Sequence, residues 1–511
     1  MGSVSYTHLA IDKVRWIPAW GQDRIHNMVA NRGDWCVSRQ RTWGVPIPIF
    51  YCADCGEPVI NKETIAHLQE LFRAHGSDVW FAREAKDLIP AGLTCPCGGA
   101  TFTKEMDTMD VWFDSGTSHV GVLQEPEVWP DLSYPADLYL EGSDQHRGWF
   151  NSSLSTAVAI TGKAPYRAVL THGFLVDEQG RKMSKSLGNV VDPLKVIKQM
   201  GADILRLWVS SADYRGDLAI SNGILKQTTE AYRKIRNTCR FLLGNLYDYD
   251  HTQHAVPYDK LLEIDRWALL RLHRMIEKVL AGYSNYEFHT VYHGVHNFCA
   301  VDMSALYLDM IKDRLYTAPA NSLERRSAQR VLYEVVHALV RLLVPILTFT
   351  TEEIWKYIPK TPTDPVSVQL TDMPVVQEEY LDGELEQKWN AILSLRGLVT
   401  RTLEAARQAK EIGNSLEAKV SLFAQGDVYA LLASMEQDWP TIFIVSAVEL
   451  REGSIPEDAV VSEEIAGFGV KVMKASGAKC ERCWMYHPQV GGDDAHPTLC
   501  PRCADVLKTG D

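Results

Sequence analysis

Between residues 137 and 177 the spacing of apolar positions changes period twice. Leu138, Tyr139 and Leu140 form a short apolar run that stops at Glu141 and Gly142. From Ser143 or Asp144 the spacing becomes helical, with Phe150, Leu154 and Val158 on one face and Gly162 closing the segment. Residues 168–176 then read as a second strand. Strand, helix, strand predicts a βαβ unit and a parallel sheet, whose ligand crevice lies at the carboxyl ends of the strands. Glu141 and Gly142 lie at one such end, and the turn after Val176 at another. Asp192 and Pro193 read as the N-cap and first position of a following helix.

Residues 222–356 carry helical stripes almost without interruption. One of them, with Asp265 as its expected cap, places Leu269, Leu272, Ile276, Val279, Leu280 and Tyr283 on one face. A helical bundle is the simple reading. A proline-rich linker at 359–374 leads to a helix at 384–410. Short apolar runs at 420–423 and 442–448 then predict a small mixed α/β element.

A chain of 511 residues predicts three or four domains, and 46% hydrophobic with 23% charged residues is an ordinary globular composition. The most apolar stretch, 331–349, is interrupted by Glu334, His337, Arg341 and Pro345, so a buried helix is expected there and no membrane span. With no secretory pattern at residue 1, the cytoplasm is the expected location. A net charge of −13 does not favour nucleic-acid binding, although a local basic face remains compatible with it.

Eight of the eleven cysteines fall in close pairs, which in a cytosolic chain point to metal before disulfides. Cys480 and Cys483 with Cys500 and Cys503 have the spacing of two knuckles closing a tetrahedral Zn²⁺ site that keeps no open position. Cys52 and Cys55 with Cys95 and Cys97 form a second candidate, with a tighter C-x-C and a long intervening loop. Cys36, Cys239 and Cys299 are expected to be packing residues.

The turn after residue 176 contains Lys182, Met183, Ser184, Lys185 and Ser186 between Gly180 and Gly188. Two ammonium groups on one glycine-flanked loop can neutralise charge developing on a polyphosphate, though most such loops are solvated basic turns. This run, KMSKS, resembles the signature loop of class I aminoacyl-tRNA synthetases. Residues 33–44 (GDWCVSRQRTWG), 110–116 (DVWFDSG), 139–150 (YLEGSDQHRGWF) and 201–208 (GADILRLW) extend the likeness to the bacterial isoleucyl-tRNA synthetase family. Valyl and leucyl enzymes share the plan, but the terminal cysteine quartet resembles the zinc-binding tail of the isoleucyl family.

The resemblance implies a Rossmann-like α/β catalytic half at 11–221, with a zinc-knuckle insertion at about 50–105. It further implies an all-α anticodon-binding bundle at 222–375, a small α/β junction at 376–470 and a zinc-binding tail at 471–511. Residues 1–10 do not resemble the family and are expected to be a non-native remnant. The 511 residues contain neither a HIGH motif nor an inserted editing domain. The expectation is therefore the C-terminal portion of a synthetase, inactive alone.

By the same resemblance Lys182 and Lys185, with Ser184 and Ser186, hold the phosphates of ATP, which carries Mg²⁺. Glu141 accepts the substrate ammonium beside Gly142, and Asp144 and Gln145 reach the ribose of the adenylate. A helix cap is the competing role for Asp144. Trp112 and Trp149 flank the isoleucine side chain, with core packing as the alternative. Arg233, Lys234, Arg236 and Arg240 on one helix, and Arg325, Arg326 and Arg330 on another, are candidate phosphate contacts. The implied activity is isoleucine–tRNA ligation by a monomer, with ATP, isoleucine and tRNA(Ile) as partners. Valine–tRNA ligation and a non-catalytic tRNA-binding module are the alternatives.

Overall fold

The computed structural model describes residues 2–435 and 439–508, and the chain folds as two compact units. The first comprises the chain through Val176 together with Tyr214–Leu218, and the second holds Asp177–Asp213 and everything from Ala219 onward.

The first unit opens with helix α1 (Gly2–Ile11), strand β1 (Arg15–Ile17) and helix α2 (Trp20–Ala30). A short helix α3 (Val111–Gly116) precedes strand β2 (Ala136–Gly142), helix α4 (Trp149–Thr161) and strand β3 (Tyr166–His172). The expected parallel sheet is present in the order β1-β3-β2, with Ala168 opposite both Arg15 and Leu138. The central strand β3 carries a nearly continuous apolar run because Val169 and Leu170 are both buried. Phe150 and Leu154 of α4, Ile25 and Val29 of α2, and Ile11 close the core over Tyr139, Tyr166 and Val169.

Two boundaries differ from the sequence reading. Helix α4 starts at Trp149, and Ser143–His146 form a separate 3-10 turn. The chain turns at Gly148, and Gln145 Oε1 accepts the Trp149 N–H at 2.9 Å. Asp144 is therefore not the cap of this helix. The expected strand at 168–176 breaks after His172, with a two-residue strand resuming at Leu175. At Gly173 a Cβ would lie 2.3 Å from the backbone oxygen of Gly216, so only glycine admits this approach.

The insertion has its own small core. Strand Phe50–Cys52 pairs antiparallel with Pro58–Val59 and Phe102–Lys104, over Phe50, Leu68, Trp80 and Leu88.

In the second unit, helices α5 (Pro193–Met200) and α6 (Ala202–Ser211) lead into α7 (Asn222–Gly244), α8 (Glu263–Ser284) and α9 (Phe288–Asn297). Asp192 caps α5 by accepting the Leu194 N–H, with Pro193 first in the helix. Helix α10 (Leu323–Leu343) crosses the bundle, and Trp267 of α8 stacks on Trp389 of α11 (Gly383–Gln408) at 5.0 Å. Asp265 does not cap α8, which begins at Glu263. It is fully buried, accepting from Tyr307 Oη at 2.6 Å and Arg314 Nη1 at 2.9 Å.

Arg325, Arg326 and Arg330 correct a second expectation, because they point inward. Arg325 forms a bidentate pair with Asp248 at 2.6 and 2.9 Å, Arg326 donates to Gln329 Oε1, and Arg330 pairs with Glu334. They hold the bundle together and present no charge to a phosphate. Beyond α11, strands β4 (Ala418–Ala424), β5 (Ala447–Glu452), β6 (Val460–Val461) and β7 (Phe468–Lys474) form a mixed sheet in the order β5-β4-β7-β6. The tail is fastened to the bundle by Arg502 on Asp313, at 2.5 and 2.9 Å, and by Arg482 on the Thr317 carbonyl. Among the described residues no helix is long and apolar enough to cross a membrane.

Candidate active site

At the carboxyl end of β2, Glu141 and Gly142 stand opposite Thr171 and His172 of β3. The Glu141 carboxylate is half exposed, and His172 Nε2 lies 3.9 Å from it. It thus faces solvent. A Cβ on Gly142 would lie 2.8 Å from Asp144 Oδ1, so the chain turns tightly over the Asp144 carboxylate. Asp144 Oδ2 in turn accepts from Gln145 Nε2 at 3.2 Å.

Gly148 makes a further close approach, since a Cβ there would lie 2.6 Å from Gln145 Oε1 and 2.7 Å from the Trp112 ring. The fold therefore brings Gln145, Gly148 and Trp112 into one place. Trp112 keeps 43% of its surface exposed, more than a core tryptophan would. Trp149 stacks on Tyr139 with centroids 4.0 Å apart and donates Nε1–H to the Ser115 carbonyl at 2.9 Å. Part of its ring thus belongs to the core.

A network that sequence reasoning missed holds Trp112 in place. Asp110 is 4% exposed, and its Oδ1 accepts the Trp112 N–H at 3.1 Å, capping α3. Its Oδ2 accepts from Trp35 Nε1 at 2.8 Å and pairs with Arg39 at 2.6 Å. All three residues lie inside two of the motif stretches read from the sequence, which was the available signal. His146 is buried among Trp16, Trp20 and Phe150. Burial pushes its imidazole down to about 4, so it stays neutral.

The KMSKS loop belongs to the second unit, and Asp177 organises it. Asp177 Oδ1 accepts the backbone N–H groups of Gln179 and Arg181, while Oδ2 accepts from Arg181 Nε and Asn189 Nδ2 at 2.8 and 2.9 Å. The Asn189 and Arg181 bonds hold the Asp177 carboxyl down to about 2. Asn189 Oδ1 then accepts the Ser184 N–H at 2.9 Å, so the loop base is stapled at both ends. Ser184 and Ser186 hydroxyls lie 3.1 Å apart. Lys182 and Lys185 are exposed, and neither has an ion-pair partner among the described residues. The loop presents two unneutralised ammonium groups on a fixed base.

Both cysteine quartets converge, the four Sγ atoms of each lying within 4.8 Å of one another. Zn–S bonds of about 2.3 Å set tetrahedral S···S edges of about 3.8 Å. Cys52 to Cys97 and Cys55 to Cys95 are both 3.6 Å, and Cys483 to Cys500 is 3.8 Å. Backbone N–H groups point at sulfur in each: Gly99 at Cys97 and Cys500 at Cys480. At Cys52 the backbone N–H groups of Cys55 and Asp54 hold the thiol down to about 7. Donor set, spacing and backbone dipoles all suit a thiophilic divalent cation such as zinc. Cys239 and Cys299 are core residues as expected, whereas Cys36 is exposed beside Ser38 and Arg39 and packs nothing.

On α7, Arg233, Lys234, Arg236 and Arg240 are exposed, and Arg233 is engaged by Glu230. Arg236 and Arg240 have no acidic partner within ion-pairing distance among the described residues.

Residues 4–221 match the family described as tRNA synthetases class I (I, L, M and V). Residues 265–422 match the anticodon-binding domain of tRNA ligase, and 477–506 a zinc finger found in FPG and IleRS. The isoleucine–tRNA ligase of Desulforamulus reducens is 66% identical over 98% of this chain and 54% of that protein. The isoleucine–tRNA ligase of Carboxydothermus hydrogenoformans is 64% identical over 97% of the chain and 53% of its own length. The chain thus spans about half the length of the curated relatives it matches. Among solved structures, a Mycobacterium tuberculosis methionyl-tRNA synthetase bound by methionyl-adenylate shares the fold at a TM-score of 0.51 and 18% identity. That likeness covers 71% of this chain and 63% of the other.

Proposed function

This chain belongs to the class I tRNA synthetases, and we propose that it carries the KMSKS portion of an isoleucine–tRNA ligase's catalytic apparatus, together with its tRNA-binding bundle and zinc tail. The observation that carries the reading is the loop at 182–186, with two free ammonium groups on a base fixed by Asp177 and Asn189. Attack of the amino-acid carboxylate on the α-phosphorus of ATP builds negative charge on phosphoryl oxygens. Positioned cations lower that barrier by electrostatics, with no covalent chemistry of their own.

In this reading Lys182 and Lys185, with Ser184 and Ser186, hold the phosphates of Mg²⁺-bound ATP. Glu141 takes the isoleucine ammonium at the carboxyl end of β2, with Gly142 giving the chain its tight turn. Asp144 and Gln145 face the ribose, and Trp112 and Trp149 wall the amino-acid side chain. Asp110 acts as a positioning residue through Trp112. Residues 11–221 form the catalytic domain, 222–375 the anticodon-binding bundle, 376–470 the junction and 471–511 the tail. Zinc in each cysteine quartet is structural, because four thiolates leave no open coordination position. Arg236 and Arg240 contact tRNA phosphates, and the protein works as a cytoplasmic monomer on tRNA(Ile).

The test joins this chain to the N-terminal half of the Desulforamulus reducens relative and follows amino-acid-dependent ATP–pyrophosphate exchange. Isoleucine should support exchange well above valine. Lys185→Ala should slow adenylate formation on the order of a hundredfold while leaving isoleucine affinity within about twofold. Exchange driven by valine in preference to isoleucine, or a Lys185→Ala enzyme that loses isoleucine affinity at an unchanged chemical rate, would overturn the proposal.

A further inference from the structure

In the second unit a cavity of about 470 Å³ opens where the bundle, the junction and the tail meet, and none of the roles above uses it. One wall is the helical turn Lys312–Thr317 with Met310 before it. A second is the helix Trp439–Phe443 with Ile444 and Val445, and the third is the tail from Arg482 to Met485. Met310 and Val445 are buried, and Leu416, Pro440, Ile444 and Met485 complete an apolar lining. Tyr316 on the bundle wall and Trp484 on the tail wall keep 60% and 61% of their surface exposed. Two aromatic rings thus border an aliphatic space with most of their area uncovered. A concave, mostly apolar space of this size suits a small organic molecule.

Ile444 and Trp484 share an unusual backbone, left-handed at φ of 58° and 65°. Each stands at a turn where glycine is the ordinary choice. Val445 N–H bonds back to the Pro440 carbonyl at 3.0 Å behind the helix, and Trp484 N–H to the Cys480 carbonyl at 2.9 Å within the knuckle. A Cβ at such a position crowds the following carbonyl, and the β-branched side chain of Ile444 adds to the strain. Two separate segments carry this strain, and both side chains end on the one cavity. The charged groups around it are already engaged. Lys312 pairs with Asp309 at 2.7 Å, Asp313 is held by Arg502, and Arg482 donates to the Thr317 carbonyl at 2.6 Å. An ionic ligand would have to displace one of these bonds, whereas an uncharged one displaces none.

We propose that this cavity binds a small, uncharged, planar aromatic molecule against Trp484 and Tyr316, and that its occupancy holds the tail to the bundle. The two exposed rings select a flat ligand, and the aliphatic side chains of Met310, Ile444 and Val445 supply the burial. Such a ligand touches bundle, junction and tail together, so it binds only while the three remain assembled. By mass action it opposes their separation.

The test uses the 511-residue chain and N-phenyl-1-naphthylamine, an uncharged probe that fluoresces in apolar surroundings. Its sulfonate, 8-anilino-1-naphthalenesulfonate, carries the same rings and serves as the charged control. The uncharged probe should bind about tenfold more tightly than the sulfonate. Trp484→Ala and Tyr316→Ala should each weaken it about tenfold, and Trp484→Phe should retain most of the affinity. Both side chains are mostly exposed, so the variants should keep the parental urea midpoint. At saturating probe, amide hydrogen exchange should slow several-fold across the tail strands at 478–487 and stay unchanged across the insertion strand at 102–104. Equal affinity for the two probes, binding indifferent to both alanine variants, or tail exchange unaffected by saturating probe would each overturn the inference. Displacement of the probe by an equimolar stem-loop RNA would assign the cavity to a nucleotide base and overturn it as well.

Discussion

Replacing Arg325 and Arg236 by alanine, one at a time, should have opposite consequences, although both lie in basic helical stretches of the same bundle. Arg325 is 5% exposed and makes two bonds to Asp248, one to the Ala320 carbonyl at 2.9 Å and one to the Leu315 carbonyl at 3.3 Å. Breaking a buried pair by removing one partner costs about 3–5 kcal/mol, most of it from the charge left behind. Asp248 would keep Gln329 Nε2 at 2.7 Å and Arg326 at 3.4 Å, so the loss should sit at the low end, about 3 kcal/mol. With a urea dependence of about 3 kcal/mol per molar, the unfolding midpoint falls by about 1 M. The stacked pair Trp267–Trp389, where α11 packs against α8 of the bundle, is the natural fluorescence reporter. At low temperature, where the variant remains folded, its RNA affinity should match the parent's. Arg236→Ala should leave the midpoint unchanged, because an exposed unpaired side chain contributes within about 0.5 kcal/mol. It should instead weaken tRNA binding and reduce the salt slope by about 0.9. An Arg325→Ala protein with a parental midpoint and weakened RNA binding would refute the assignment of this arginine to the interior.

Metal analysis of protein purified without chelator should give about two equivalents of zinc; Cys480→Ser should lose one and Cys95→Ser the other, and no zinc at all would sink both centres. Stability should fall as the medium is acidified from about pH 6.5 towards pH 4. Burial pushes His273 down to about 4, and its Nδ1 already accepts the Gln377 N–H at 3.0 Å. The unfolded chain therefore takes up a proton in that window and the folded chain does not, which removes about 2 kcal/mol by pH 5. His273→Gln should flatten the pH dependence of the urea midpoint, and an unchanged profile would contradict the burial argument. Asp177→Ala should unstaple the KMSKS loop and slow adenylate formation in the joined enzyme on the order of tenfold, with tRNA affinity unchanged. Equal rates would show that the staple does not position the lysines.

The βαβ unit, the bundle and the class I fold were legible in the sequence because each is written in local spacing. A short apolar run, a helical period of 3.6, a glycine closing a helix, and paired cysteines two or three residues apart need only their neighbours to be recognised. The KMSKS loop is local in the same sense, and its two lysines stand free as a glycine-flanked basic turn suggests. What the sequence did not contain is which way a charged side chain turns. Arg325 and Arg236 are indistinguishable as helical arginines, and Asp265 has the look of a cap; their fates were decided by Asp248, 77 residues from Arg325, and by Tyr307, 42 residues from Asp265. Asp110 likewise acquires its role from Trp35 and Arg39, 75 and 71 residues away. A buried charge persists only where a partner of opposite sign is delivered to it, and that delivery belongs to the tertiary packing.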